Sequence, residues 1–187
     1  GSSNDYNFSP DVSEVAYASN PEFTKATSTN IEIHLASLTS PKTPKIISTS
    51  KGVDCQPVYS PDGKYLAWTS MKRAGFEADK KDLILFDRKT GKMKNLTEDF
   101  DKSVDEFVYS PDSKIIYFTA GNEIYSSIYK LNVDDEEIEL FHKDNYNTSI
   151  QLSKNGKTLY FLKQRIDLPA EIFSQSTDGK NTLKRIT

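Results

Sequence analysis

The stretch YSPDGKYLAWTS, residues 59–70, contains a complete strand–turn–strand pattern. An aromatic residue ends one strand, and residues 60–63 then form a turn. In such a turn Pro fixes φ, Asp bonds nearby backbone amides, and Gly accepts a positive φ. The strand that follows at once, residues 65–69, is largely apolar on both faces, which is typical of a sheet packed between two neighbours. The stretch therefore predicts a hairpin inside a layered β structure.

Three further copies of this pattern occur along the chain: FSPDVSEVAYAS from Phe8, YSPDSKIIYFTA from Tyr109 and LSKNGKTLYFLK from Leu152. The four copies start 51, 50 and 43 residues apart. A second hairpin follows each copy, and a connection such as GVDCQPVY supplies the first strand of the next unit. This period is typical of β-propeller blades rather than of short solenoid repeats. The alternative is a β-sandwich whose hairpins resemble one another by chance.

We therefore predict an all-β chain, a β-propeller of four-stranded antiparallel blades with about four blades present, at approximately 5–50, 51–98, 99–143 and 144–187. Because four blades are at the low end for a closed ring, we interpret residues 1–187 as one domain that is a partial propeller. The outer faces of its first and last blades would then be apolar. We expect self-association through these end blades, for example of two half-rings.

Composition and charge exclude several classes of partner. Lys and Arg number 24 and Asp and Glu 27, so the net charge is −3 and no basic field exists to attract nucleic acid. No apolar run approaches the roughly eighteen residues of a membrane helix, so we expect no membrane partner. The single cysteine, Cys55, fits a reducing cytoplasm but also a bacterial periplasmic protein. Gly1-Ser2 resembles the remnant of a tag, which leaves room for a removed leader, and we favour a periplasmic or secreted bacterial location over the cytoplasm.

Catalytic motifs are missing from the sequence. A nucleophile elbow needs two glycines four residues apart, and no two of the eight glycines have that spacing. The only histidines, His34 and His142, fall on expected strands, where a histidine usually packs or faces solvent. Cys55 comes just before an expected strand beside Asp54, whose negative charge would not activate a thiol. Zinc spacing, phosphate loops and calcium loops are also missing, so we expect no catalytic residue, no cofactor and no metal site.

The segment LAWTSMKRAGFEADKKDLILFD, residues 66–87, leaves the strand pattern for about a dozen residues and then returns to it. Together with Leu96-Thr97 and the segment 100–105, it resembles the N-terminal propeller of the prolyl oligopeptidase family of serine peptidases. The resemblance is best to the acylaminoacyl-peptidase and dipeptidyl peptidase 5 branch, through Trp68, Ser70-Met71 and the segment Arg73 to Asp79. It extends over most of residues 8–187.

The resemblance implies a two-domain hydrolase, in which an α/β-hydrolase domain with a Ser-Asp-His triad follows the propeller. The propeller would cover the active site, select short peptides and help to bind their free N-terminus. Because the chain contains no triad residue, we expect residues 1–187 to be inactive alone. A rival interpretation is a TolB-like interaction propeller that binds a protein or a glycan. A third, a propeller lyase or glycosidase, needs paired carboxylates across a central pocket.

The interrupting segment, residues 71–82, joins the second and third strands of the second expected blade. We predict that Arg73, Phe76, Glu77 and Asp79 contact the substrate or the hydrolase domain. A carboxylate such as that of Glu77 can hold the ammonium group of a peptide by a charge-assisted hydrogen bond. The alternative is structural: Phe76 anchors the loop, and Arg73 pairs with Glu77 or Asp79.

Overall fold

A computed structural model describes residues 5–22, 28–40, 42–180 and 182–187. Within these residues the chain forms sixteen strands and no helix. It divides into two compact units, unit 1 (Gly1–Asp101) and unit 2 (Lys102–Thr187). Unit 1 contains two four-stranded antiparallel sheets, and unit 2 contains one eight-stranded sheet made of two four-stranded antiparallel parts.

Unit 1 is built from two sheets that meet face to face through apolar side chains. The strands of the first are β1 (Tyr6–Phe8), β2 (Glu14–Ser19), β3 (Glu32–Ser37) and β4 (Lys45–Ile46). Those of the second are β5 (Asp54–Tyr59), β6 (Tyr65–Met71), β7 (Lys81–Asp87) and β8 (Met93–Asn95). Ala16 and Ile33 of the first sheet share a core with Leu66 and Trp68 of the second. Burial on both faces explains why β6 reads as a continuous apolar run.

Unit 2 repeats this plan with longer strands. The strands of its first sheet are β9 (Val104–Tyr109), β10 (Ile115–Asn122), β11 (Tyr125–Asn132) and β12 (Ile138–His142). Those of its second are β13 (Tyr146–Leu152), β14 (Thr158–Arg165), β15 (Leu168–Ser176) and β16 (Lys184–Arg185). One parallel pair, Ser126 with Tyr146, joins the two sheets into a continuous eight-stranded sheet. Tyr117, Ile128 and Phe161 belong to the shared core.

The first hairpin of each sheet closes through the same side-chain bonds. In β5–β6 the Ser60 hydroxyl donates to Asp62 Oδ1 at 2.6 Å, and the Lys64 amide donates to the same oxygen at 3.0 Å. Gly63 takes a φ of 71°, as its place in the turn requires. In the first and third copies Val12 and Ser113 adopt φ values of 55° and 64° at the same place. The serine–carboxylate bonds therefore impose this turn even where no glycine is present.

The four sheets confirm the predicted all-β class and its four-stranded antiparallel units. The blade boundaries stay a prediction. One local expectation was wrong: Cys55 lies inside β5 and not before it, because pairing with β6 already begins at Asp54. In the part of the chain that the structure describes, no helix has the length and apolar character needed to span a bilayer.

Candidate functional site

The loop of residues 72–80, here called the β6–β7 loop, closes on the carboxylate of Asp79. Arg73 donates from Nε and Nη2 to Asp79 Oδ1, at 2.9 and 2.7 Å. Asp79 Oδ2 accepts the backbone N–H groups of Lys72 at 3.0 Å and of Arg73 at 2.8 Å. The bonds from the Arg73 side chain lower the pKa of Asp79 to about 2, so this carboxylate is ionised at neutral pH. Asp79 therefore holds the two ends of the loop together.

Phe76 lies at the outer side of this loop and stacks on the arginine. The Arg73 guanidinium carbon is 4.1 Å from the centre of the Phe76 ring, a cation–π contact. The ring nevertheless remains 43% exposed. Gly75 turns the chain with a φ of 71°, and its amide donates to Thr29 Oγ1 at 2.9 Å, on the connection between β2 and β3. The loop thus presents an aromatic surface on an ordered backbone.

Glu77 differs from the other predicted residues, because its side chain is exposed. Within the described residues its carboxylate makes no hydrogen bond or ion pair. The structure therefore brings Arg73, Phe76 and Asp79 together and leaves the Glu77 side chain exposed. Arg73 pairs with Asp79 and not with Glu77, a choice that the sequence left open. The role of these four residues in binding stays a prediction.

A second set of contacts fixes the base of the loop, and the sequence did not predict it. Lys80 Nζ donates to the carbonyl oxygens of Thr97 at 2.9 Å and Phe100 at 2.6 Å. The same ammonium lies 2.7 Å from Asp82 Oδ1, and Asp82 is buried. The Thr97 hydroxyl in turn accepts the amide of Leu83 at 2.8 Å. Thr97 and Phe100 belong to the segments on which the resemblance rests, so these segments support the loop. The occurrence of these segments together with the loop segment was the sequence feature that could have predicted the contacts of Lys80.

A cavity of about 280 Å³ opens beside the loop, and Asp54, Trp68, Ser70 and Lys72 are among its lining residues. Asp54 Oδ1 accepts the indole N–H of Trp68 at 3.0 Å, and Oδ2 accepts the Ser50 hydroxyl at 2.8 Å. Burial raises the pKa of Asp54, although the hydroxyl and indole donors oppose this effect. The carboxylate thus orients the tryptophan that fills the core.

The histidines and the cysteine occupy packing positions. His34 on β3 stacks on Tyr17 with ring centres 5.0 Å apart, and His142 on β12 tilts on Phe161 at 5.1 Å. Burial lowers the pKa of His142, and it raises the pKa of the Cys55 thiol, which leaves the thiol unreactive. Among the described residues, no group of three or more His, Cys, Asp and Glu side chains is placed to hold a metal ion.

Four-stranded sheets that repeat one turn motif, with a long ordered loop on one hairpin, define the chain as β-propeller structure. The chain belongs to the TolB beta propeller domain family, whose profile matches residues 5–186. The prediction of a propeller is thereby confirmed over the β-sandwich alternative.

The relatives confirm the predicted peptidase branch. The chain is 33% identical over 171 residues to a dipeptidyl-peptidase 5 of Porphyromonas gingivalis. The matched region covers 90% of this chain and 25% of that protein. It thus spans about a quarter of the length of this curated relative. Among solved structures, TolB of Acinetobacter baumannii matches with a TM-score of 0.71 and 22% identity, over 96% of this chain and 42% of TolB. An acylaminoacyl peptidase of Pyrococcus horikoshii matches with a TM-score of 0.65 and 17% identity, over 93% of this chain and 25% of the peptidase.

Proposed function

We propose that this chain is the non-catalytic propeller part of a serine peptidase of the dipeptidyl-peptidase type. In the intact protein it restricts access to an α/β-hydrolase domain that lies elsewhere in the same polypeptide. The observation that carries this proposal is the 33% identity to a dipeptidyl-peptidase 5 across 90% of the chain. The expected partners are that hydrolase domain and short peptide substrates.

The β6–β7 loop is the proposed contact with the substrate. The charge of Arg73 is neutralised by Asp79, so Glu77 carries the exposed carboxylate of segment 73–79 that has no partner among the described residues. A peptide that is shortened from its amino end presents an ammonium group, and a carboxylate binds that group by a charge-assisted hydrogen bond. The exposed ring of Phe76 offers an apolar surface to the adjoining peptide side chain.

Exchange of one carboxylate tests this role in a polypeptide that contains both domains. We expect Glu77→Gln to raise KM for dipeptidyl-nitroanilides about tenfold with little change in kcat, because a hydrogen bond between charged groups contributes roughly 1.5–3 kcal/mol. Glu137→Gln, which alters an exposed glutamate on the β11–β12 turn, is the matched control and should leave KM unchanged. Substrates with an acetylated amino group should not distinguish the variant from the wild type. An unchanged KM for free-amine substrates would remove the ammonium role.

A second candidate function is a TolB-like interaction propeller that binds a protein or a glycan. The match of the TolB beta propeller domain profile to residues 5–186 favours it. A fluorophosphonate probe separates the two functions, since it labels only an activated serine. Serine labelling of the longer polypeptide supports the peptidase, and its failure there supports the interaction propeller. Residues 1–187 should show no turnover, and inhibitor-sensitive turnover by them would contradict the assignment of catalysis to another domain.

A further inference from the structure

Two buried basic side chains of unit 2, Lys163 on β14 and His142 on β12, lie in direct contact. Lys163 Nζ is 3.4 Å from His142 Nε2, and both residues are only 8% exposed. The ammonium also lies 5.4 Å from the centre of the Phe173 ring, and no carboxylate of a described residue pairs with it. A lysine is rarely buried to this degree unless an anion compensates its charge. The contact therefore needs an explanation beyond packing.

The chemistry of the two groups decides which of them carries a proton at neutral pH. Lysine is about four pKa units more basic than histidine. Burial lowers the pKa of both groups here, and the Lys163 charge lowers the pKa of His142 further. An ammonium has three donors and no lone pair, so His142 Nε2 accepts the hydrogen bond from Lys163. The imidazole is therefore neutral and carries its proton on Nδ1.

Protonation of His142 would reverse the sign of this interaction. An imidazolium has a donor on both ring nitrogens and no acceptor, so its Nε2 can no longer accept from the ammonium. Two cations would then face each other at 3.4 Å inside the unit. Like charges at such a distance repel each other, and the repulsion is strong where water is largely excluded. Acid thus converts an attractive contact into a repulsive one.

The charged groups around this contact do not compensate a second proton. Burial raises the pKa of Tyr117 on β10, which therefore stays neutral. Asp144, on the connection from β12 to β13, raises the pKa of both His142 and Lys163 but forms no ion pair with either among the described residues. Asp144 therefore weakens the repulsion without closing an ion pair. The other neighbouring charges are matched in pairs: Lys130 with Glu139, Lys143 with Glu123, Arg165 with Asp167, Lys180 with Asp178 and Arg185 with Glu171.

The strand that carries His142 is weakly held. Among the described strands β12 pairs with β11 alone, so one of its edges has no backbone partner. A cavity of about 740 Å³ lies beside the contact and is lined by His142 from β12 and Gln175 from β15. Packing between β12 and the second part of the sheet is thus incomplete there, and water reaches the imidazole. An edge strand with few buried contacts opens at low cost in free energy.

We propose that His142 and Lys163 form a pH-sensitive latch, whose hydrogen bond holds β12 against β14 at neutral pH and whose protonation releases the strand in acid. The unfolded state takes up the proton at the ordinary histidine pKa of about 6.5, and the folded state takes it up at a lower pH. The contribution of the latch to stability is therefore complete above about pH 6.5 and is lost as the pH falls through the folded pKa. The latch acts within unit 2 and does not depend on the proposed peptidase.

Nitrogen-15 NMR of the imidazole groups tests the pair directly, because the chain has only two histidines. We expect the proton of His142 on Nδ1 at neutral pH, and a titration below the ordinary value of about 6.5. Lys163→Met should move this titration to higher pH, since it removes the neighbouring charge. Lys157→Met, at an exposed lysine of the preceding turn, is the matched control and should leave it unchanged. A proton on Nε2, or an unchanged titration in Lys163→Met, would overturn the pairing.

Hydrogen exchange measures the release of the strand. We expect the protection factors of amides 138–142 to fall at least about tenfold between about pH 7 and pH 5, while those of β6 in unit 1 stay constant. His142→Gln keeps an acceptor for the ammonium but cannot take up a proton, so its β12 should remain protected in acid. His34→Gln, the control at the other histidine, should keep the loss of protection. Protection that does not fall in the wild type, or that falls equally in His142→Gln, would overturn the latch.

Discussion

Asp54 and Asp79 are both buried aspartates of unit 1, and their surroundings shift their pKa values in opposite directions. Burial dominates at Asp54 and raises its pKa, since its donors are hydroxyl and indole groups. Hydrogen bonds from the Arg73 side chain dominate at Asp79 and lower its pKa to about 2. Deep burial among neutral donors therefore makes ionisation of Asp54 costly, whereas the weaker desolvation of Asp79 and its cationic donor make ionisation favourable.

The raised pKa of Asp54 predicts a pH-dependent stability for unit 1. The folded state binds the proton more tightly than the unfolded state, whose aspartate pKa is about 4. The contribution of Asp54 to stability is therefore complete below about pH 4 and is lost as the pH rises through the folded pKa. The free energy of unfolding of Asp54→Asn relative to the wild type should increase between about pH 4 and pH 7. Urea titrations followed by the fluorescence of Trp68, the single tryptophan, measure this difference.

Asp87→Asn is the control of opposite sign in the same unit. Hydrogen bonds, the largest from the Thr90 backbone, lower the pKa of Asp87, so its contribution is present above about pH 4 and lost in acid. The stability of Asp87→Asn relative to the wild type should therefore fall as the pH rises from acid to about pH 4. A pH-independent difference for Asp54→Asn would contradict the raised pKa.

At this scale the sequence predicted the bonds that are local. The hydrogen bonds of the Ser-Pro-Asp turns join residues at most five positions apart, so the sequence motif was enough to predict these turns. The sequence could not predict the partner of Arg73, because the carboxylates of Glu77 and Asp79 both lie within reach of its long side chain. Asp79 is selected because it stands next to the start of β7, where its second oxygen accepts the two amides at the end of β6.

At the scale of elements, each unit joins its two sheets by one parallel bridge followed by a buried polar residue. In unit 1 the bridge is Ile31 with Val53, and Asp54 follows it. In unit 2 the bridge is Ser126 with Tyr146, and Asn147 follows it. The side chains match their partners: Asp54 accepts from an indole and hydroxyls, whereas Asn147 donates to carbonyl oxygens. Hairpin patterns predict strands, but these bridges depend on pairing between sheets, which no local pattern shows.

Substitution of Asn147 should destabilise unit 2 in a defined order. Asn147→Ala removes the donor from the buried carbonyl oxygen of Ser126 and from the part-buried one of Asp144, which costs about 1–3 kcal/mol. Asn147→Asp should cost more at neutral pH, because a carboxylate would face those carbonyl oxygens, and it should recover in part near pH 4. Urea unfolding followed by circular dichroism gives both values, with the half-buried Asn122→Ala as the control. Greater stability of the aspartate variant at neutral pH would contradict the donor role.

At the scale of the whole molecule, the last sheet has one covered and one uncovered apolar face. Phe161 and Phe173 pack inward on the sheet of β9–β12. Tyr160, Ile172 and Ile186 face the other side and are exposed. Propeller sheets normally pack on both faces, and a uniform apolar pattern in the sequence anticipates this. The repeats could therefore predict the fold. They could not predict what covers the exposed face of the last sheet, because the covering surface lies outside these four repeats.

The uncovered face predicts that residues 1–187 self-associate. Transfer of apolar surface from water drives association, and this face exposes Tyr160, Ile172 and Ile186, with Lys184 of β16 on the same face. Sedimentation and light scattering should show a mass that increases with concentration. Ile172→Lys should reduce it by placing a charge at the centre of the contact, and Leu140→Lys on another sheet should not. A monomer at high concentration would exclude the contact. In a longer polypeptide whose next sheet covers this face, the same substitution should instead lower stability, because the lysine would then be buried.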